Sequence, residues 1–153
     1  MSEVKMEEVH KELDLLQGCI NRMAQNSFLI KGWLVALFAV VLALLPERVN
    51  GLLLGAVMSA VTGILWYLDA IFLTLEKDYR HIYDWVLAVR PLGNRELLYQ
   101  LDIKAFQKRK KIPDSEPVKS AMWSRTLRWF YGVPMLVSAG YFLIQLVRQC
   151  PAA

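Results

Sequence analysis

Three apolar stretches, each long enough to cross a lipid bilayer, constrain this chain more than any other feature. They cover residues 28–45, 51–75 and 129–147, and none holds more than one charged side chain. At about 1.5 Å per helical residue, even the shortest extends about 27 Å, close to the roughly 30 Å hydrocarbon core of a bilayer. Because a lone span must satisfy its own backbone hydrogen bonds in lipid, the sequence predicts an all-α membrane protein with three transmembrane helices.

The third apolar stretch differs from the other two because it contains Pro134. A proline inside a span is tolerated when neighbouring helices satisfy the freed backbone groups. The alternative is a helix that lies in the membrane interface. Residues 129–147 have no polar face for water, and Trp123, Trp129 and Tyr131 stand at their start as an aromatic belt would. These features favour a full span.

The distribution of basic residues predicts the topology. The net charge is +4, and twelve Lys and Arg residues fall within residues 76–128, four within residues 1–31 and one within residues 46–50. The positive-inside rule then places the N-terminus and residues 76–128 in the cytoplasm and the C-terminus outside. The basic balance is more typical of loops that face anionic lipid than of nucleic-acid binding.

Residues 1–27 are expected to form a cytoplasmic amphipathic helix. Their apolar side chains recur at alternating spacings of three and four, as in a heptad seam. This seam favours packing on the chain's own cytoplasmic segments, with self-association between chains as the alternative. It consists of Met6, Val9, Leu13, Leu16, Ile20 and Met23.

The second apolar stretch predicts a helix that does not stop at the membrane. Its pattern continues from Gly51 to Val89, so that one long helix would extend from lipid into the cytosol before the break at Arg90–Gly93. Small residues recur every fourth position at its start and permit close helix contact. This row is expected to contact the first span, the third span or a neighbouring subunit; it consists of Gly51, Gly55, Ser59 and Gly63.

The rest of the cytoplasmic segment is ambiguous in sequence. Asn94 is suited to capping a short helix through Leu98, whereas the alternation over Tyr99–Ala105 also fits a short strand. Residues 113–117 read as a loop. With these parts, residues 1–153 are predicted to form a single membrane domain.

Lys31 and Asp69 are the informative polar residues within the spans. Insertion of a charged side chain into the membrane costs about 2.5–3.5 kcal/mol at the centre of a span and less near its end. The short turn at residues 46–50 makes their helices neighbours, at similar depths of roughly 6 and 9 Å. The geometry allows an intramembrane charge pair. Alternatively, Lys31 extends to the headgroups while Asp69 bonds a nearby Trp, Tyr or backbone group.

Two further polar sets border the spans. The first is interpreted either as the cytoplasmic mouth of an oligomer or as an ordinary solvated face, and comprises Asn26, Ser27, Glu76, Tyr79 and Arg80. The second is a basic run predicted to contact lipid headgroups, at about 1 kcal/mol per residue. It comprises Lys108, Arg109, Lys110 and Lys111.

The sequence offers no support for catalysis or for a cofactor. His10 and His81 have no acidic, Cys or His partner at ligand spacing, and Cys19 and Cys150 have no partner spacing for a metal or a disulfide framework. Phosphate-binding loops and nucleophile motifs are absent from the sequence. We therefore expect a protein that is not an enzyme, with no cofactor and no bound metal.

Three segments carry a resemblance to known proteins: N-S-F-L-I-K-G-W at 26–33, W-Y-L-D-A-I-F-L-T-L-E-K-D-Y-R at 66–80 and W-S-R-T-L-R-W-F-Y-G at 123–132. Over most of its length the chain resembles a family of small, uncharacterised bacterial inner-membrane proteins. More loosely, its architecture resembles the SLATT-like membrane effectors of antiphage defence systems. That likeness implies a homo-oligomer that permeabilises the membrane when a partner, such as a cytosolic sensor protein, signals infection.

The leading functional hypothesis is therefore a pore-like effector of the bacterial inner membrane, with its C-terminus in the periplasm. Membrane lipids and copies of the same chain would be its partners. The alternative is a non-catalytic anchor or regulatory subunit of a larger complex. A transporter ranks third, because intramembrane charge is scarce and broken helices in repeated halves are absent from the sequence.

Overall fold

The computed structural model describes residues 6–44 and 50–149. Within these residues all regular structure is helical, so the strand considered for Tyr99–Ala105 is wrong. Three helices are long and apolar enough to cross a membrane, which supports the predicted multi-pass membrane protein. The helices are α1 (Met6–Leu44), α2 (Gly51–Val89), a 3-10 turn (Arg90–Leu92), α3 (Ile103–Lys108), α4 (Val118–Met122) and α5 (Arg125–Gln149).

The two longest helices have 39 residues each and run without interruption. Helix α1 joins the predicted amphipathic segment to the first apolar stretch, and the sequence places Pro46 two residues beyond its end. Helix α2 has the predicted bounds. Pro91 ends it in a 3-10 turn, and Gly93 closes that turn with φ 77°, a left-handed conformation that glycine adopts without strain. Residues 1–5, 45–49 and 150–153, among them Leu45 of the first predicted span and Cys150, lie outside the described residues.

The segment after α2 differs from both sequence-based alternatives. Asn94 does cap, but its Oδ1 accepts the amide of Glu96 at 2.8 Å in a turn rather than a helix. Leu97 and Tyr99 have φ values of 56° and 59°, left-handed conformations that a helix or strand cannot contain. Helix α3 then begins at Ile103, because the Asp102 carboxylate accepts the Lys104 amide at 3.0 Å. The alternating pattern therefore spans a turn and a capped helix.

The chain forms two compact units. Unit 1 comprises residues 1–26 and 72–117, and unit 2 comprises residues 27–71 and 118–153. Helices α1 and α2 each contribute residues to both units, whereas α3 belongs to unit 1 and α4 and α5 belong to unit 2.

Unit 1 has its own apolar core. Leu16 of the predicted heptad seam belongs to this core and Leu13 packs against it, whereas Met6 at the start of the seam is 70% exposed. The middle of the seam therefore packs on α2 and α3 of the same chain, as the first of the two sequence-based alternatives proposed. Each fully buried side chain of this size contributes about 1.5–3 kcal/mol. The core consists of Leu16, Ile82, Val86, Phe106 and Ile112.

In unit 2 the small-residue row of α2 faces α5. A Cβ atom added to Gly55 would lie 2.8 Å from Cα of Phe142, and one added to Gly63 would lie 3.3 Å from Cε of Met135. Because the first of these neighbours is backbone, α2 and α5 can approach this closely only with glycine at position 55. The row thus seats the third apolar helix, one of the three partners considered for it.

We expect the Gly55→Ala substitution to destabilise unit 2 by about 1–3 kcal/mol, because α5 must move away to admit the methyl group. The matched control is Gly140→Ala on α5, where a Cβ would have no neighbour within 4 Å. Thermal unfolding in mild detergent should show a lower midpoint for the first variant and an equal or higher one for the second. Equal midpoints for both variants would contradict the close contact.

Candidate functional site

Asp69 of α2 has a fully buried carboxylate, which side chains of the other two long helices, α1 and α5, contact. Lys31 Nζ of α1 lies 2.5 Å from its Oδ2. The Tyr131 hydroxyl of α5 donates to the same oxygen at 2.9 Å. The Ser27 hydroxyl of α1 donates to Oδ1. The Asp69 cluster, defined by these four residues, therefore joins α1, α2 and α5.

The polar groups of the Asp69 cluster satisfy one another. Ser27 Oγ donates its proton to Asp69 and accepts a hydrogen bond from Lys31 Nζ at 2.7 Å, so both functions of the hydroxyl are used. Asp69 is 0% exposed, whereas the Lys31 side chain remains 22% exposed. The structure thus contains one feature of each sequence-based alternative. Lys31 pairs with Asp69, as the first predicts, and Asp69 also accepts a hydrogen bond from a tyrosine, as the second predicts.

Aromatic side chains enclose one side of the Asp69 cluster. The Tyr131 ring stacks on Trp66 with 6.1 Å between centroids and an interplanar angle of 9°. Trp66 is fixed in turn, because its Nε1 donates to the Met122 carbonyl at 3.0 Å. Tyr131 itself is fully buried. These contacts limit the access of water to the cluster and so strengthen its ionic interaction.

Asp69 is enclosed by its partners within the chain. The Asp69 carboxylate already has three donors, and none of its area is exposed to a substrate. Over residues 6–44 and 50–149, no group of three His, Cys, Asp or Glu residues is placed to hold a metal ion. Removal of one member of such a buried pair costs about 3–5 kcal/mol, because it leaves an uncompensated charge.

The residues of the predicted cytoplasmic mouth make different contacts within their own units. Ser27 belongs to the Asp69 cluster, whereas the half-buried Asn26 belongs to unit 1. Glu76 and Arg80 form a 2.7 Å ion pair across one turn of α2, with Arg80 61% exposed. Tyr79 packs against the core of unit 1, where burial raises the pKa of its hydroxyl.

The predicted headgroup run is divided between solvent and a carboxylate. Lys108 and Lys110 are exposed. Arg109 and Lys111 instead pair with Glu96, at 3.1 and 2.9 Å. The hydrogen bonds from Lys111 and then Arg109 hold the pKa of Glu96 below its usual range. Two of the four basic side chains are thus engaged within unit 1.

Unit 1 contains a second buried ion pair that sequence analysis missed. Arg90 and Glu12 have side chains that are 0% and 1% exposed, and they bond bidentately at 2.6 and 2.7 Å. Arg90 Nη1 also donates to the carbonyls of Asn94 and Glu96, at 2.8 and 3.0 Å. Glu12 Oε1 also accepts the Tyr99 amide at 3.1 Å.

A periodicity signal for this pair does exist. Arg90 continues the buried row of α2 at spacings of four, after Ile82 and Val86. Glu12 lies four residues before the buried Leu16 and so shares its face of α1. Two residues of opposite charge that fall on the apolar faces of two helices are candidates to form a buried ion pair with each other.

A second polar attachment holds the predicted loop at residues 113–117. Ser115 Oγ donates to the buried Asp78 carboxylate at 2.5 Å and accepts from Gln107 Nε2 at 2.8 Å. Lys77 and Glu116 pair beside it at 2.7 Å. The loop is therefore fixed to α2 within unit 1.

Comparison with known proteins adds no relative. No protein-family model matches the chain, and no curated protein or solved structure matches it either. The resemblances drawn from sequence segments therefore stay predictions.

Proposed function

We propose that this chain is a non-catalytic membrane protein that anchors or regulates a larger complex in the bacterial inner membrane. One observation carries the proposal: Asp69 is fully buried and has all its partners, Ser27, Lys31 and Tyr131, within a single chain. The ionisable groups of the spans are thereby used to join helices. No second subunit is needed to satisfy them.

The outer surface of unit 2 supports the same proposal. Every exposed residue in the described part of the three predicted spans is apolar, aromatic or glycine. A water-filled pore between copies of the chain requires polar side chains on the surface that lines it. An apolar surface instead suits lipid or the apolar helices of a partner.

Unit 1 is the candidate surface for a cytosolic partner. It carries exposed ion pairs, among them Lys77–Glu116 and Arg95–Glu8. Its interior is fixed by the buried Arg90–Glu12 pair, so that this polar surface is presented on a rigid support. A regulatory subunit needs such a surface outside the membrane.

The pore-like effector of antiphage defence is the second candidate, and one observation favours it. Lys31 remains 22% exposed although its partner is fully buried, so the pair lies at the edge of solvent access. Separation of α1 from α2 would then expose both charges and act as a gate. In that case a homo-oligomer forms the pore, and a cytosolic sensor protein supplies the trigger.

Reconstitution in planar bilayers, with mass analysis of the detergent-solubilised protein, separates the two functions. The anchor predicts no single-channel currents at any protein density, and cells that express the chain should keep their membrane potential. A defined oligomer that conducts ions would overturn the proposal. Loss of that conductance in the Asp69→Asn variant would then assign the gate to the Asp69 cluster.

Reporter fusions test the membrane topology on which both functions depend. A reporter after Ala153 should behave as periplasmic and one inserted near Ser115 as cytoplasmic, because the basic residues are concentrated within residues 76–128. A tagless insertion near Ser115 that preserves the folded yield is the control for disruption. If both reporters behave as cytoplasmic, α5 does not cross the membrane.

A further inference from the structure

A groove of about 560 Å³ opens on the surface of unit 2, beside the first half of α5. Aromatic rings form much of its wall, and Trp123 and Trp129 remain 66% and 64% exposed. The rest of the wall is apolar except for one charged side chain. The residues on which the argument depends are Trp66, Trp123, Arg128, Trp129, Gly132 and Leu136.

Arg128 is the charged residue of this groove. Its guanidinium carbon lies 5.6 Å from the centre of the Trp129 ring, a cation–π distance. Within residues 6–44 and 50–149, no carboxylate pairs with Arg128, whereas Arg90 and Arg109 each pair with one. A guanidinium held over a ring without an anion is a ready partner for a phosphate group.

The apolar part of the groove extends from Arg128 along α5. Leu136 lies eight residues further on, about 12 Å along the helix axis. Between them Gly132 has no side chain, and a Cβ atom added there would meet nothing within 4 Å. The groove thus combines one cation at the predicted end of a span with an open apolar floor running into the span.

This combination matches one class of ligand. We propose that the groove binds an anionic phospholipid, whose phosphate pairs with Arg128 while one acyl chain lies over Gly132 towards Leu136. The position supports this assignment, because Arg128 immediately precedes the predicted span at residues 129–147, where headgroups meet acyl chains. The exposed rings of Trp123 and Trp129 suit the same boundary.

Native mass spectrometry of the full chain in mild detergent tests the proposal. The probes are phosphatidylglycerol, phosphatidylcholine with the same acyl chains, and inorganic phosphate. We expect one phosphatidylglycerol to remain bound at concentrations where phosphatidylcholine does not. Arg128→Gln should weaken that binding about fivefold. Arg125→Gln is the matched control, because it removes the same charge from an exposed position of α5 that does not line the groove.

A second pair of variants tests the apolar floor. Gly132→Leu fills the groove and should weaken phosphatidylglycerol binding at least as much as Arg128→Gln does. Gly140→Leu, at an equally open position of the same helix, should leave the binding unchanged. Equal retention of the two lipids, or an equal loss with Arg125→Gln and Arg128→Gln, would overturn the proposal. Displacement of the lipid by inorganic phosphate at similar concentrations would also overturn it, because the site would then recognise phosphate alone.

Discussion

Replacing Asp69 with alanine should destabilise unit 2 more than any other single substitution of a polar residue within it. The change leaves the Lys31 ammonium without its carboxylate and the buried Tyr131 hydroxyl without its acceptor. Removal of one member of a buried pair costs about 3–5 kcal/mol. The 22% exposure of Lys31 places the expected loss at the lower end, about 3 kcal/mol.

Thermal unfolding in detergent, followed by circular dichroism, measures this loss. The matched control is Asp84→Ala, which removes an exposed carboxylate from the same helix and should change stability by less than about 0.5 kcal/mol. Asp69→Asn separates shape from charge, since the amide keeps the shape of the carboxylate and one acceptor oxygen but no longer neutralises Lys31, and its NH2 group can only donate to the hydroxyl that it faces. The unfolding midpoint of Asp69→Asn should lie between those of the wild type and Asp69→Ala.

A double-mutant cycle with Lys31→Met distinguishes pairing from independent contacts with the membrane surface. Lys31→Met alone should lower stability less than Asp69→Ala, because Asp69 keeps two hydroxyl donors. The double variant should lose less than the sum of the single variants, since no stranded ammonium remains. Strict additivity, or an Asp69→Ala variant as stable as Asp84→Ala, would contradict the pair.

The parts of this fold that follow local rules were predictable. Membrane thickness dictates a long apolar run, so α1, α2 and α5 could be located from residues 28–45, 51–75 and 129–147. Lys31 and Asp69 could be matched because a short turn makes their helices neighbours. Tyr131 could not, because it lies 62 residues beyond Asp69 and its approach depends on the rotation of α5.

The parts that depend on tertiary contacts were not predictable from local patterns. The turn at Leu97 and Tyr99 requires left-handed backbone at two residues that rarely adopt it, and no sequence rule calls for that there. Arg90 and Glu12 determine this turn by bonding its carbonyls and one of its amides. The left-handed conformation of this turn is stabilised by side chains that come together only when unit 1 has folded.

The Glu12→Ala substitution should release this turn and destabilise unit 1 by about 3–5 kcal/mol. It strands a fully buried guanidinium, and it removes the acceptor of the Tyr99 amide. Arg90 would keep two carbonyl acceptors and its contact with the Trp85 ring, at 5.5 Å, so the loss should be concentrated in the turn rather than spread over the unit.

Amide hydrogen exchange shows which part of unit 1 loses stability in the Glu12→Ala variant. A local loss of about 3 kcal/mol accelerates exchange of the Tyr99 amide on the order of a hundredfold. Glu8→Ala is the matched control: it removes a neighbouring ion pair with Arg95 whose side chains are 31% and 41% exposed, and such pairs contribute at most about 1 kcal/mol. Exchange that accelerates equally in both variants would mean that Glu12 acts as an ordinary surface carboxylate.

The combined variant Glu12→Leu with Arg90→Met tests whether the pair stabilises unit 1 or specifies its turn. Two apolar side chains fit the surrounding core of Leu16 and Val86 and leave no buried charge, so the unfolding midpoint should recover beyond that of Glu12→Ala. The carbonyls of Asn94 and Glu96 would lose the donor that Glu12→Ala leaves in place, and the Tyr99 amide would still lack its acceptor. We therefore expect the Tyr99 amide to stay fast in exchange even where the midpoint recovers, because apolar packing restores stability without restoring the backbone contacts. Slow exchange at Tyr99 in the double variant would show that the turn forms independently of the pair.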